Sequence, residues 1–320
     1  MASRRALLAG ALLVPPVGAQ GAAWPSRPVR LIVPYAPGGP SDILARVLGA
    51  ALSEGWGQAV IVENRPGAGS AIGTELVARA APDGYTLLLA ASAHTMNPAL
   101  MPQLPFDAVR DFTPVLNSAY HPMVLVVHPG TGIIELPGFI AAAKERPGGL
   151  TMSSAGVGNA SHLAMALFAS VADIELTHVP YNGAAPAQAA LVAGQVQGGF
   201  LNSTVAVPQI RAGALRGIAV ADAVRWRELP DLQTTAELGY PAAAAVSWYG
   251  ILAPAGLPPT LRDRLAKDLR AVLARPAVRE KILAAGLDPL DIGPVPFAEQ
   301  IAAEVSRWAG VVRAAGIRPD

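Results

Sequence analysis

No cysteine occurs in the 320 residues. That excludes disulfides, zinc–thiolate sites, a cysteine nucleophile and a lipid anchor carried on cysteine. Charge is scarce too: charged residues make up 15% of the chain and the formal net charge is +1, so there is no basic face of the kind that holds nucleic acid. The five histidines, at 94, 121, 128, 162 and 178, form no i, i+4 pair and have no acidic cluster beside them, and no metal site is expected. No unbroken apolar run reaches the ~18 residues of a membrane span. Nucleotide signatures are missing as well. Gly67-x-Gly69 puts Ile72 where the dinucleotide fingerprint needs its third glycine, and no lysine follows the glycines of 154–158 to make a phosphate loop. There is no Gly-x-Ser-x-Gly nucleophile elbow. No cofactor is expected, and no catalytic residue is assigned.

What is present begins with an export signal. Arg4 and Arg5 precede the apolar run Ala6 to Val14, and small residues follow at Gly18 to Ala23, which is the order of a cleaved signal peptide. Cleavage is expected after Ala19 or Ala23, and the paired arginines also fit the twin-arginine route. Removing 1–23 takes away two arginines and no acid, which moves the net charge from +1 to −1. The mature chain is expected to be periplasmic. Its length exceeds what one core usually fills, ~250 to 300 residues, so two domains are expected.

The periodicity predicts strands at 30–35, 59–63, 86–90, 150–153, 174–179, 197–202 and 215–220. Helices are predicted at 43–52, 71–80, 136–145, 184–193, 208–213 and 260–273, with one following the 154–162 loop through 169 and helical structure at 276–286 and 297–315. Strand, glycine-rich loop and helix recur, the pattern of parallel sheets with crossover helices. Two extended apolar runs, one ending in Met123 to Val127 and one at Trp248 to Ala253, are placed to cross from one domain to the other and back. The expected division is 24–120 plus 248–320 for the first domain and 121–247 for the second.

In such sheets ligands bind beyond the strand C-termini. The loop Val33 to Asp42, VPYAPGGPSD, combines stiff prolines, Gly38 and Gly39, and Ser41 or Asp42 where a helix cap belongs. A helix start that turns bare N–H groups to a cleft holds an anion. Ser154 to His162, with Gly156, Gly158, Asn159, Ser161 and His162, repeats the plan, with Ser161-His162 in the places of Ser41-Asp42. Tyr35, Tyr181 and Trp248 border glycine or proline loops as candidate pocket walls. Gly69 of the second glycine loop and neutral polar groups at strand ends complete the candidates: Asn64, Ser70, Ser92, His94, Asn97, Asn182, Asn202, Ser203 and Thr204. Such groups hold an anion reversibly, without a fixed counter-charge. A hydrolase or lyase using Ser154, His162 or Asp42 is the competing reading, and a receptor feeding a signalling partner is a third.

Several of these stretches together resemble a known family. They are Trp24-Pro25-x-Arg27-Pro28-Val29-Arg30, the Val33 to Asp42 loop, Glu63-Asn64-Arg65-Pro66-Gly67-Ala68-Gly69, Pro82-Asp83-Gly84-Tyr85-Thr86-Leu87 and Ser154-x-Gly156-x-Gly158-x-x-x-His162-Leu163. Val179-Pro180-Tyr181-x-Gly183, Gly213-x-Leu215-Arg216, Leu229-Pro230-Asp231 and Trp248-Tyr249-Gly250-Ile251-x-Ala253-Pro254-Ala255-Gly256 follow in order. The chain resembles the substrate-binding proteins of tripartite tricarboxylate transporters, the Bug or TctC family, from residue 24 to about 270. The resemblance implies an α/β periplasmic-binding-protein fold of type II, a Venus-flytrap clamp with two crossover strands. It also implies a monomer that takes a small carboxylate to integral-membrane permease subunits. Carboxylate contacts, partly through water, are implied for the two loops at 33–42 and 154–162. Where the family often has lysine this chain has Asn182, and Asn202 is also uncharged. An amino-acid ligand, whose ammonium group favours a carboxylate partner, is therefore disfavoured.

Gly39→Val is expected to abolish ligand uptake by blocking backbone approach while leaving the protein folded. Normal affinity in a titration of that variant would remove the loop from the site.

Overall fold

Short β-branched and leucine-rich runs, each followed by a helix and the first two by a glycine turn before it, build the first half of the computed structural model, which describes residues 24–317. The export segment expected at 1–23, with its cleavage points, lies outside the described residues. The order is β1 (Val29–Val33), α1 (Pro40–Trp56), β2 (Val60–Asn64), α2 (Ala71–Ala78), β3 (Thr86–Ala91) and α3 (Ala93–Leu100). The long strand β4 (Phe112–Val127) then leaves this half. In the second half come α4 (Leu136–Glu145), β5 (Thr151–Ser154), α5 (Ala160–Ala172), β6 (Thr177–Pro180), α6 (Ala184–Val192), β7 (Gly198–Asn202), α7 (Ser203–Arg211) and β8 (Arg216–Val220). The chain returns through β9 (Val246–Pro254) and ends with α8 (Pro259–Leu273), α9 (Pro276–Ala284), β10 (Asp288–Ile292) and α10 (Pro294–Ala314).

The strands are ordered β2-β1-β3-β9-β4-β7-β5-β6, with β8 and β10 also pairing β4. β1, β2 and β3 are parallel to one another, as are β5, β6 and β7. β4 and β9 run antiparallel from Phe112↔Pro254 to Pro122↔Val246, and beyond Pro122 β4 pairs β7 and β8 instead. One strand thus serves both halves. Side chains alternate across the sheet. Leu31 and Val33 pack with Leu44, Leu48, Leu265 and Leu269, while Ile32 joins Val77, Phe112, Trp248 and Phe297 on the other face. The second half has its own core around Met123, Leu125, Phe139, Met152, Phe168 and Phe200.

Several predicted elements shift. α1 begins at Pro40 because proline, lacking an N–H, suits the first helical position, and Gly39 is the cap in place of Ser41 or Asp42. The polar run Ser92 to Pro98, expected as a loop, forms α3; its packing against α10 supplies what its sequence lacks. α7 starts at Ser203 and keeps Pro208 inside it, where the sequence suggested a start. β10, with Pro289 in it, was not anticipated. It pairs β4 as an added strand, where a missing donor is tolerated.

His94 is buried in α3, stacked on Phe106 and edge-on to Phe112, with Nε2 bonded to the Ala108 carbonyl at 2.8 Å. Burial brings its pKa down to about 4, against the opposing effect of the Ala108 bond. The unfolded chain binds this proton first, so stability is expected to fall as pH drops from about 6.5 to about 4. His94→Gln keeps a donor for Ala108 and should flatten that part of a urea-midpoint profile. An unchanged slope would show that the histidine is not the source.

Candidate functional site

The loops after β1, β2, β3, β5 and β7 converge with the middle of β9 on a cleft of about 800 Å³ between the halves. None of the described residues lining it carries a charge. Ser41, Ser70, Ser92, Asn97, Asn159, Asn202, Ser247, Tyr35 and Tyr249 supply the polar wall, and Met96, Leu100, Met101 and Val157 the apolar one.

The two facing helix starts share one construction. In the first, Gly38 takes φ +90°, a left-handed conformation that glycine adopts freely, and its N–H donates to Asp42 Oδ2 at 3.0 Å. In the second, Gly158 takes φ +70° and its N–H donates to His162 Nδ1 at 3.1 Å. Each time the acceptor is four residues on, in the first helical turn. The N–H before the cap is satisfied inward; of those that follow, Pro40 has none and Asn159 donates to the Gly156 carbonyl at 3.3 Å, so the N–H groups left without a backbone acceptor are those of Gly39 and Ser41 in one loop and Ala160 in the other, all residues of the cleft lining. Gly39 caps α1 with no side chain of its own. Asn159 caps α5 through Oδ1, which accepts from the Ser161 N–H at 2.9 Å. A Cβ on Gly39 would meet nothing within 4 Å, whereas one on Gly158 would press Leu100 at 3.0 Å.

Asp42 lies behind the loop. It accepts from Arg46 at 3.1 Å and from Asn64 Nδ2 at 3.0 Å, and Asn64 also donates to the Tyr35 carbonyl at 3.1 Å. Burial pushes the Asp42 carboxyl up, but the bonds from Arg46, Gly38 and Asn64 outweigh this and leave it below the usual range. Arg46 is exposed, with 55% of its side-chain surface free, so solvent screens that ion pair. The less exposed bonds from the Gly38 N–H and from Asn64 hold the carboxylate against the loop.

A third loop is strained. Ala68, Gly69 and Ser70 follow one another at φ 44°, 58° and 85°, and two of them pay a side-chain penalty there. Asn97 Nδ2 holds the turn, donating to the Gly69 carbonyl at 2.8 Å and to Ser70 Oγ at 3.2 Å. Tyr35 and Tyr249 are both neutral phenols: burial pushes Tyr35 up to about 12, against a hydrogen bond with Ser70, and burial followed by the nearby Tyr35 raises Tyr249 further.

Of the expected site residues, Tyr35, Gly39, Ser41, Gly69, Ser70, Ser92, Gly156, Gly158, Asn159 and Asn202 line the cleft. Gly38, Asp42, Asn64 and His162 stand behind it and hold its loops. Ser154 does likewise: its hydroxyl donates to the Gly156 carbonyl at 3.0 Å and meets His178 Nε2 at 2.5 Å. The hydrolase reading therefore loses its geometry: Ser154 bonds Gly156 and His178, His162 accepts from Gly158, and Asp42 is held by Gly38, Arg46 and Asn64, so the three form no relay with one another. His162 stacks on His178 at 3.7 Å, and burial, then His178, lowers its pKa to about 4. His94 is a core residue. Tyr181 and Asn182 follow β6, the outer strand of its half, and neither lines the cleft; the Tyr181 carbonyl sits 3.6 Å from a Cβ placed on Gly156. Trp248 faces away, its Nε1 donating to Glu304 at 2.8 Å, and its neighbour Tyr249 takes the wall. Alternation along β9 requires one of the pair to face each way, and the sequence does not say which. Ser247, Met96, Leu100 and Met101 were not foreseen.

The family model described as the tripartite tricarboxylate transporter family receptor matches residues 44–317. Protein BugT of Bordetella pertussis is 37% identical over 313 residues, 97% of this chain and 95% of that one. Two solved structures are similar over nearly the whole fold. One is an R. palustris protein with adipate, 34% identical, TM-score 0.77, covering 93% of this chain and 100% of that one. The other is MatC of Rhodopseudomonas palustris with bound malate, 32% identical, TM-score 0.73, covering 90% and 100%.

Asn97→Asp is nearly isosteric, removes the donor to Gly69 and places a negative charge in an uncharged cleft. Affinity for a carboxylate ligand at pH 7 is expected to fall at least ~tenfold by calorimetric titration. Unaltered affinity would mean that this wall does not meet the anion.

Proposed function

The chain belongs to the tripartite tricarboxylate transporter receptor family, and on that premise we propose that it captures a small organic carboxylate in the cleft and hands it to integral-membrane permease subunits. It is a periplasmic solute-binding protein with the two-domain fold of its family, whose members are receptors and not enzymes. The observation that carries the finer reading is the pair of matched helix starts, open to a cleft with no charged wall. A carboxylate there gains backbone N–H donors and the positive ends of two helix dipoles. It needs no arginine or lysine, and its release is correspondingly easy.

In this reading the domains are 24–120 with 248–320, and 121–247, and they close on the ligand by bending where β4 and β9 pass between them. Closure follows from a ligand that touches both helix starts only in the closed form. Residues 1–23 direct export, and the mature receptor acts as a monomer.

A thermal-shift panel of mono-, di- and tricarboxylates, amino acids and the matching neutral amides tests this. Carboxylates are expected to raise the melting temperature and their amides to leave it unmoved. A ligand at a hundred times its Kd adds about 2.7 kcal/mol. A shift given only by amino acids, or equally by the amides, would overturn the carboxylate reading.

A further inference from the structure

At the centre of the cleft wall, Tyr249 is held at both ends. Its backbone carbonyl accepts from Ser118 Oγ at 2.9 Å, and its hydroxyl meets Nε2 of His121 on β4 at 3.0 Å. The direction of that second bond is fixed from the far side of the imidazole. Nδ1 of His121 lies 3.3 Å from the Pro122 carbonyl oxygen, an atom that only accepts, so Nδ1 carries the proton. His121 is fully buried, and burial holds its pKa down to about 4. At neutral pH it bears one proton, and Nε2 is bare. The Tyr249 hydroxyl must donate to it. With that proton spent, the phenol oxygen offers the cleft lone pairs and nothing else.

We propose that Tyr249 determines specificity by accepting a hydrogen bond from a hydroxyl on the ligand, so that the receptor selects hydroxycarboxylates over their deoxy counterparts. The proposal rests on the carboxylate reading above and narrows it. A carboxylate oxygen set against the Tyr249 oxygen would face lone pairs with lone pairs, which turns the anionic ends toward the helix starts and away from β9. An ammonium group is also a donor, but among the described residues no side chain lining the cleft is charged, so it would be desolvated without a counter-charge. A hydroxyl supplies the donor at little desolvation cost.

The test is calorimetric titration of the mature chain with matched pairs, malate against succinate and 2-hydroxyadipate against adipate, and with aspartate. The hydroxylated member should bind about tenfold more tightly in at least one pair, the worth of one hydrogen bond that leaves no buried acceptor unpaired. Tyr249→Phe should bring that ratio to about one. His121→Leu frees the phenol proton to point into the cleft and should reverse the preference toward oxaloacetate over malate, a change that a merely structural role would not produce. Equal affinities within every pair, an undiminished ratio in Tyr249→Phe, or tighter binding of aspartate than of malate would overturn the assignment. If no carboxylate binds at all, the broader reading fails and this one falls with it; a measurable but equal pair fails this one alone.

Discussion

Two backbone N–H groups turned back on their own helices govern the cleft. The bonds from Gly38 to Asp42 and from Gly158 to His162 close the same small ring in the two halves. Each fixes a left-handed glycine just before the cap. Without that bond the donor would compete for whatever enters the cleft, and the loop would lose the tether that aims its remaining N–H groups. The residues doing the tethering are a carboxylate in one half and an imidazole in the other. What repeats is the acceptor at the fourth position, and its chemical identity is free to vary as long as it accepts.

The supports of the site reach further than the loops. Glu304 on α10 accepts from Thr95 Oγ1 and from Trp248 Nε1, both at 2.8 Å, which ties α3 and β9 to one carboxylate. One turn on, α10 crosses the gap between the halves. Trp308, Val311 and Val312 pack with Met96 on one side and with Leu163 and Leu167 of α5 on the other. The half-buried Arg307 reaches the Ala244 carbonyl at 3.0 Å, just before β9. The last helix is therefore a third connection between the halves, beside β4 and β9, made by packing where those are made by the chain.

Much of this was legible in the sequence, because its signals are local. Strand, loop and helix recur along the chain, and the Gly38 and Gly158 loops align in register when Ser161-His162 is set over Ser41-Asp42. What was not legible depends on which way a side chain faces. Asp42 and His162 sit in loops that form the site, yet they point behind it. Trp248 and Tyr249 are adjacent aromatics on a strand buried on both faces, so no polar alternation marks the inner one. Asn182, like Asn202, stands at the end of a predicted strand, but it follows β6 at the outside of the sheet, and strand order is not written in the spacing. His121 gave no signal either. Its meaning comes from Tyr249, 128 residues away.

The matched loops are equivalent in shape and unequal in charge. At the start of α1 the helix already has an anion within its first turn, Asp42, bonded and ionised. At the start of α5 the corresponding place holds an imidazole that burial keeps neutral. Part of the first dipole is thus neutralised from inside the protein, and the second is not. An incoming anion meets a stronger attraction on one bank of the cleft than on the other, so the pseudo-symmetric clamp has a polarity that its backbone alone does not show.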